Sequence, residues 1–292
     1  MVIDALRQEF LESLRLRQGL SIATCHTYGH HVGTYLESLR AAECAAAAAM
    51  PEHVAAHIGT LRVRGLRSAT IFCAGMAIRA FHRFLLARGY ATEDPTVGLE
   101  SPKIMSRVPE PLSVDEVERL LAAVPGQGIS FLRDGAILEL LYHGLRLGEA
   151  LGLDVAHVHL GEGYIKVMGK GSRERLVPIG DKATESIVKY LAARAARFGQ
   201  AGPLFLSRCG TRLGKSVFQR RFKRYAARAG ITRRVYPHLL RHSFALHLLA
   251  GHADLRSLQL LLGHSSLSTT QRYLQLDFSA LRETCRRAHP RF

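Results

Sequence analysis

Six residues of this 292-residue chain have side chains that together suit phosphodiester chemistry without a metal ion: Arg146, Lys170, His238, Arg241, His264 and Tyr273. The pentavalent transition state of that chemistry places extra charge on the non-bridging oxygens. With no Mg²⁺ present, arginines must hold the charge, and their planar forks match phosphate oxygens. A tyrosine can be the nucleophile of a covalent step. The leaving 5′ oxygen needs a proton, which a lysine or a histidine can supply. Taken singly, each residue has a plainer reading: Arg146 as a surface helix residue, Lys170 as part of a turn, His264 as a helix cap, Tyr273 as core. Their ordered coincidence carries the argument.

Competing chemistries fit less well. His238-x-x-x-His242 has the spacing of a zinc-binding helix, but Leu239 stands where the general-base glutamate would be. Hard divalent cations need converging carboxylates, whereas residues 237–273 contain only Asp254. The five cysteines (Cys25, Cys44, Cys73, Cys209, Cys285) are scattered, odd in number and without a C-x-x-C pair. This pattern predicts reduced thiols used for packing, not a disulfide framework or a zinc site.

The net charge of +16 is unevenly distributed. Residues 1–100 carry ten Lys/Arg against nine Asp/Glu, while residues 101–292 carry thirty against fifteen. From Ser186 to Ala253 there are fourteen Lys/Arg and no acid. An ordinary solvated surface mixes signs, so the long single-sign stretch points to a polyanion, best a nucleic acid. No apolar run approaches the roughly 20 residues of a membrane span, and no secretory signal is visible, so a cytoplasmic protein without a membrane partner is expected.

These residues need elements to position them. Residues 1–98 read as four or five short helices: Phe10, Leu14, Tyr28, Val32, Tyr35, Leu36 and Leu39 recur at helical spacing. Ser21 is placed to cap the second helix. Ser68 to Arg88 forms another, with Ile71, Ala74, Ile78, Phe81, Phe84 and Leu85 inward and Arg79, His82 and Arg83 interleaved. The Ala-rich stretch 41–49 reads as a helical spacer. Four prolines between Asp94 and Pro111 mark residues 99–111 as an interdomain linker. Ser113 with Glu116 then forms a capping box. Beyond it, Gly163–Gly169 and Arg173–Ile179 alternate as two strands around the turn Lys170-Gly171-Ser172. Helices are predicted over roughly 130–143, 147–152, 182–198, 215–229, 239–250, 254–262 and 267–275.

The ordered motifs resemble those of the tyrosine recombinase (phage integrase) family, in particular its Xer branch. They are Gly144-Leu-Arg146-Leu-Gly-Glu149, Gly169-Lys170-Gly171 to Ile179, His238-Leu-Leu-Arg241-His242, Leu262-Gly263-His264 and Thr269-Thr-Gln-Arg-Tyr273. The opening FLESL to CHTY, the linker and the final Ala288-His-Pro-Arg291 are similar too, so the resemblance runs nearly full length. It implies a mainly α fold with a small β-sheet: a SAM-like helical core-binding domain (1–98) and a catalytic domain (112–275) clamped around DNA. A tail (276–292) would dock on a neighbouring protomer through Leu276, Phe278 and Leu281.

By the same resemblance Arg146 and Arg241 clamp the scissile phosphate and His264 bonds a non-bridging oxygen. Lys170 protonates the 5′-hydroxyl, His238 assists proton movement, and Tyr273 attacks to give a 3′-phosphotyrosine. Glu149 supports the arginines. Neither a metal nor another cofactor is implied. DNA contacts are expected from Lys215 and Arg220 on a major-groove helix, and from Arg79 and Arg83 in the first domain. The implied partners are double-stranded DNA with paired sites, and a homotetramer or a heterotetramer with a paralogue; a septal DNA translocase is compatible with the Xer likeness. The chain departs from many Xer sequences at His143, Gly148 and Leu274-Gln275, none of which removes a catalytic group. The rival readings are a type IB topoisomerase-like swivelase and a non-catalytic DNA-binding accessory protein.

Overall fold

The structure, a computed structural model, describes residues 2–18, 20, 22–100, 109–169, 174–262 and 274–292. The chain divides into unit 1, Met1–Val108, and unit 2, Pro109–Phe292. It is mainly helical, with one small sheet.

Unit 1 contains α1 (Val2–Gln18), α2 (Ile22–Ala41), α3 (Pro51–Val63) and α4 (Ser68–Ala87). On α4 the predicted inward residues Ile71, Ala74, Ile78, Phe81, Phe84 and Leu85 are all buried. Their three- and four-residue spacing places them on one stripe, and Phe81 meets Phe10 of α1 edge-on at 5.3 Å. His82 departs from expectation. It follows Ile78 by four residues and precedes Leu85 by three, so it falls on the same stripe; it is 1% exposed and its Nε2 lies 3.0 Å from the Tyr35 hydroxyl.

The Ala-rich stretch is not a helical spacer. A single 3-10 turn spans Ala46–Ala48 between extended residues. Glu43 has φ +51°, which ends α2, and Pro51 keeps Met50 extended before α3 begins. By length and composition α4 is apolar enough to cross a bilayer, contrary to the expectation from the sequence; in unit 1 its apolar stripe is core. Ser21 and residues 101–108 of the linker lie outside the described residues.

Unit 2 begins with α5 (Val114–Ala122), where the capping box forms as predicted: Glu116 N donates to Ser113 Oγ at 3.1 Å, and Ser113 N to Glu116 Oε2 at 2.8 Å. The central helix α6 (Ile129–Tyr142) is buried on most sides and packs against α8 (Asp181–Phe198) and α10 (Pro237–Ala250). Between α7 (Leu147–Gly152) and α8 lies an antiparallel sheet in the order β1 (Val158–His159), β2 (Tyr164–Met168), β3 (Glu174–Pro178). The sequence pattern predicts two of these strands; the third, the short β1, pairs Val158 with Ile165. Helix α9 (Lys215–Arg228) packs against α5 and α7, and α11 (Leu255–Leu262) against α10.

The predicted helix 267–275 falls mostly outside the described residues. A helix α12 runs over Leu274–Ala288, across the boundary expected at 275. Leu281 is buried in its own unit and the Phe278 ring lies 5.5 Å from that of Tyr164, so these expected docking residues pack within unit 2; the Leu276 side chain is outside the described ones. Past α12, Arg291 returns to α6 and pairs with Glu139 at 2.6 Å. Cys25 and Cys285 are buried packing residues, Cys44 and Cys73 are partly covered, but Cys209 is exposed, contrary to the expectation that all five pack.

The buried His82 makes unit 1 acid-sensitive. Burial pushes its imidazole from 6.5 down to about 4, against a smaller opposing pull from Asp94. The unfolded chain therefore takes up this proton first. Stability should be full above pH 6.5 and fall by roughly 3 kcal/mol as the pH drops to about 4. Unfolding in urea followed by circular dichroism across pH 4–7 is expected to show this slope. His82→Phe should flatten it while lowering stability at pH 7 by about 1–3 kcal/mol, because the Tyr35 hydroxyl loses its partner.

Candidate active site

The turn from α6 into α7 sets the geometry of the site. Gly144 has φ +86°, a region that L side chains rarely adopt, and a Cβ there would come 2.6 Å from the Phe244 ring. Its carbonyl accepts a hydrogen bond from Arg241 Nη1 on α10. Arg241 also donates through Nη2 to the Leu262 carbonyl at 2.5 Å, the last turn of α11. Two carbonyls from different elements thus hold a guanidinium whose side chain is 5% exposed.

Arg146 occupies the N-cap position of α7. Its backbone N–H donates to Glu149 Oε2 at 2.8 Å and its Nη1 to Oε1 at 2.7 Å. Arg175, from β3, donates to both oxygens of the same carboxylate at 3.1 and 2.8 Å. Arg241 Nη1 lies 3.7 Å from Glu149 Oε2. Three guanidiniums therefore share one carboxylate. The Arg146 side chain is 41% exposed, so part of its fork still faces solvent.

The electrostatics follow from this packing. Burial alone would raise the Glu149 carboxyl, but Arg175 first and then Arg146 overcome it and hold the group down to about 2. Burial, then the charge of Arg146, lowers Arg241 to about 10, with Glu149 opposing; it remains charged at neutral pH. His238, on the first turn of α10, is shifted below its usual range by lost hydration and then by Arg241 and Arg146. It is solvent-exposed and neutral at pH 7, able to take a proton.

The structure thus brings Arg146, Glu149, His238 and Arg241 together from α7 and α10. Lys170, His264 and Tyr273 lie outside the described residues. The chain that leads to them is tied to the site: β3 carries Arg175, and Leu261 and Leu262 give their carbonyls to Arg175 and Arg241. Arg175 is not among the residues that the sequence motifs assign to the site. Its signal was an arginine on the apolar face of a predicted strand, paired with buried Val167 and two residues from buried Val177.

The DNA-contact candidates sort differently. On α9, Phe218, Phe222, Tyr225 and Ala226 face the core, leaving Lys215 and Arg220 exposed. Lys215 Nζ lies 3.2 Å from where a Gly148 Cβ would sit, so this glycine makes room for it beside α7. In unit 1 Arg83 is exposed, whereas Arg79 is partly buried and donates to the Leu99 carbonyl.

Comparison with known proteins agrees across the chain. Residues 110–280 match the phage integrase family, and residues 8–89 match the phage integrase N-terminal SAM-like domain. Tyrosine recombinase XerD of Halalkalibacterium halodurans is 37% identical over 290 residues, covering 97% of each chain. Tyrosine recombinase XerC of Vibrio vulnificus is 37% identical over 289 residues, covering 97% of this chain and 90% of the relative. Among solved structures, that of XerA recombinase is 29% identical with a TM-score of 0.51, covering 99% of this chain and all of that one. A lambda integrase tetramer bound to a Holliday junction shares the fold, with a TM-score of 0.68 at 17% identity over 92% of this chain and 80% of that one.

Removing the shared carboxylate should be severe. Glu149→Gln leaves buried guanidiniums uncompensated, and a loss of about 3–5 kcal/mol is expected at pH 7. The depressed carboxyl contributes stability that is present above its unfolded value near 4.5 and lost as the pH falls through about 2. Denaturant unfolding of both proteins at pH 7 and pH 3 should therefore show a gap that narrows at the lower pH.

Proposed function

This chain belongs to the phage integrase family of tyrosine recombinases, and from that premise we propose that it is a site-specific DNA recombinase acting through Arg146, Lys170, His238, Arg241, His264 and Tyr273. The observation that carries the assignment is the pair of guanidiniums, Arg146 and Arg241, held side by side around Glu149 with part of Arg146 open to solvent. Such a pair suits two non-bridging oxygens of one phosphate.

In the reaction the Tyr273 oxygen forms a bond to phosphorus as the bond from phosphorus to the 5′ oxygen breaks. The phenolic proton passes toward His238, whose neutral form is favoured by its surroundings. The 5′ oxygen takes a proton from Lys170 and leaves as a hydroxyl, while Arg146, Arg241 and His264 hold the charge on the non-bridging oxygens. Attack by a 5′-hydroxyl from another strand reverses these steps and rejoins the DNA. The bond energy is kept in the phosphotyrosine, so rejoining needs no nucleotide cofactor.

DNA is held by Lys215 and Arg220 from α9 and by Arg83, with a smaller contribution from the engaged Arg79. Contacts of this type go mainly to phosphates, which position the duplex. The likeness to the lambda integrase tetramer on a Holliday junction supports a tetrameric synapse, with strands exchanged in pairs. The near full-length similarity to XerC and XerD relatives supports a role in resolving chromosome or plasmid dimers or in moving a genetic element, within the cytoplasm, alone or with a paralogous recombinase.

The test is covalent trapping on sheared genomic DNA in EDTA, followed by sequencing of the protein-linked ends. Wild type should give adducts clustered at a shared site. Tyr273→Phe should reduce them at least about a thousandfold with DNA affinity retained. Adducts without a shared site would favour a topoisomerase, and binding without adducts would favour an accessory protein.

A further inference from the structure

Arg175 stands out among the groups that the proposed chemistry does not use. It sits on β3 opposite Val167, which is fully buried, and its own side chain is only 13% exposed. An apolar residue would fill that position without the penalty of desolvating a charge. The guanidinium is instead spent on three acceptors from two other elements: both Glu149 oxygens on α7, and the Leu261 carbonyl on α11 from Nε at 3.3 Å. A buried arginine with a bidentate partner fixes geometry in a way that hydrophobic packing does not.

Its place in the chain gives this geometry a consequence. β3 begins directly after residues 170–173, and Arg175 is five residues from Lys170. Leu261 is the next-to-last residue of α11, three before His264. Arg175 therefore ties together the strand that follows Lys170 in the chain, the helix end that precedes His264, and the carboxylate that holds Arg146.

We propose that Arg175 is a positioning residue: through Glu149 and the Leu261 carbonyl it fixes the β2–β3 hairpin against the arginine pair, so that the proton donor at residue 170 meets the leaving oxygen. The proposal rests on the recombinase reading given above. It differs from a general stabilising role because it assigns the loss to one step, protonation of the 5′ oxygen. Misplacing a catalytic group by about 1 Å costs roughly 100-fold in rate.

The test uses duplex oligonucleotides carrying the site recovered with wild type, in an ordinary form and with sulfur replacing the bridging 5′ oxygen. Sulfur leaves as a thiolate and needs no proton. Arg175→Ala should cut the ordinary duplex about 100-fold more slowly, bind it within about threefold of wild type, and recover to within about tenfold on the sulfur duplex. Arg175→Lys should fall between the two. Equal cutting by Arg175→Ala would overturn the proposal, and so would a defect that sulfur does not relieve, since the fault would then lie in the arginine clamp. Amide hydrogen exchange on the full chain, without DNA, gives a second and independent reading. Arg175→Ala should lose protection at least about tenfold in β3 and the last turn of α11, with α6 and α8 unchanged. Unchanged exchange, or loss spread evenly over unit 2, would overturn the proposal even if wild type formed no adducts, an outcome that would count separately against the recombinase reading.

Discussion

Arg146, Arg175 and Arg241 converge on the Glu149 carboxylate, and their mutual repulsion is the constraint around which unit 2 is arranged. Two unit charges about 5 Å apart repel by roughly 3 kcal/mol at an effective dielectric constant of 20. Guanidiniums this close have to be held together by an opposing charge. A single carboxylate does this with less charge than a symmetrical set of acids would need, so the assembly stays net positive. Backbone carbonyls do the rest: those of Gly144, Leu261 and Leu262 accept from arginines while carrying no formal charge. This resolves the scarcity of acids in the C-terminal half of the chain, because neutral acceptors orient a cation without cancelling the field that attracts an anion.

The same device organises the fold. Cations at the end of a helix interact favourably with its dipole, and α11 ends on carbonyls held by Arg175 and Arg241. Helices α7, α10 and α11 and strand β3 thereby meet at one point. Each brings an apolar face to the common core around α6 and a polar group to the site. The fold and the site share contacts, and Glu149 belongs to both.

What was legible in the sequence follows from what local pattern can encode. The α4 stripe, the Ser113–Glu116 box and the alternation of β2 depend on spacing along the chain, and the structure reproduces them; β3 forms as expected but is buried continuously toward its end. Motif order groups Arg146, Glu149, His238 and Arg241, and the structure places these four near one another. His82 was misplaced because its polarity outweighed its position on the stripe; a tertiary partner, Tyr35, decides its burial. The alanine run was misread because propensity favours helix, while Glu43 at positive φ and Pro51 end it from outside the run. Arg175 gives only a weak local signal, an arginine on an apolar strand face, because its three acceptors lie 26 and 86 residues away in sequence.

The contact between Gly144 and Phe244 makes the mutational tolerance of the two positions unequal. The Phe244 ring fills the volume that a side chain at 144 would need, so a smaller residue at 244 would relieve the overlap. It would not relieve the backbone, whose φ of +86° disfavours any L side chain whatever the space. A randomised library over both positions should therefore keep glycine at 144 almost throughout, while 244, itself buried core, should accept only other apolar residues. The two sites touch, yet only one of them can drift.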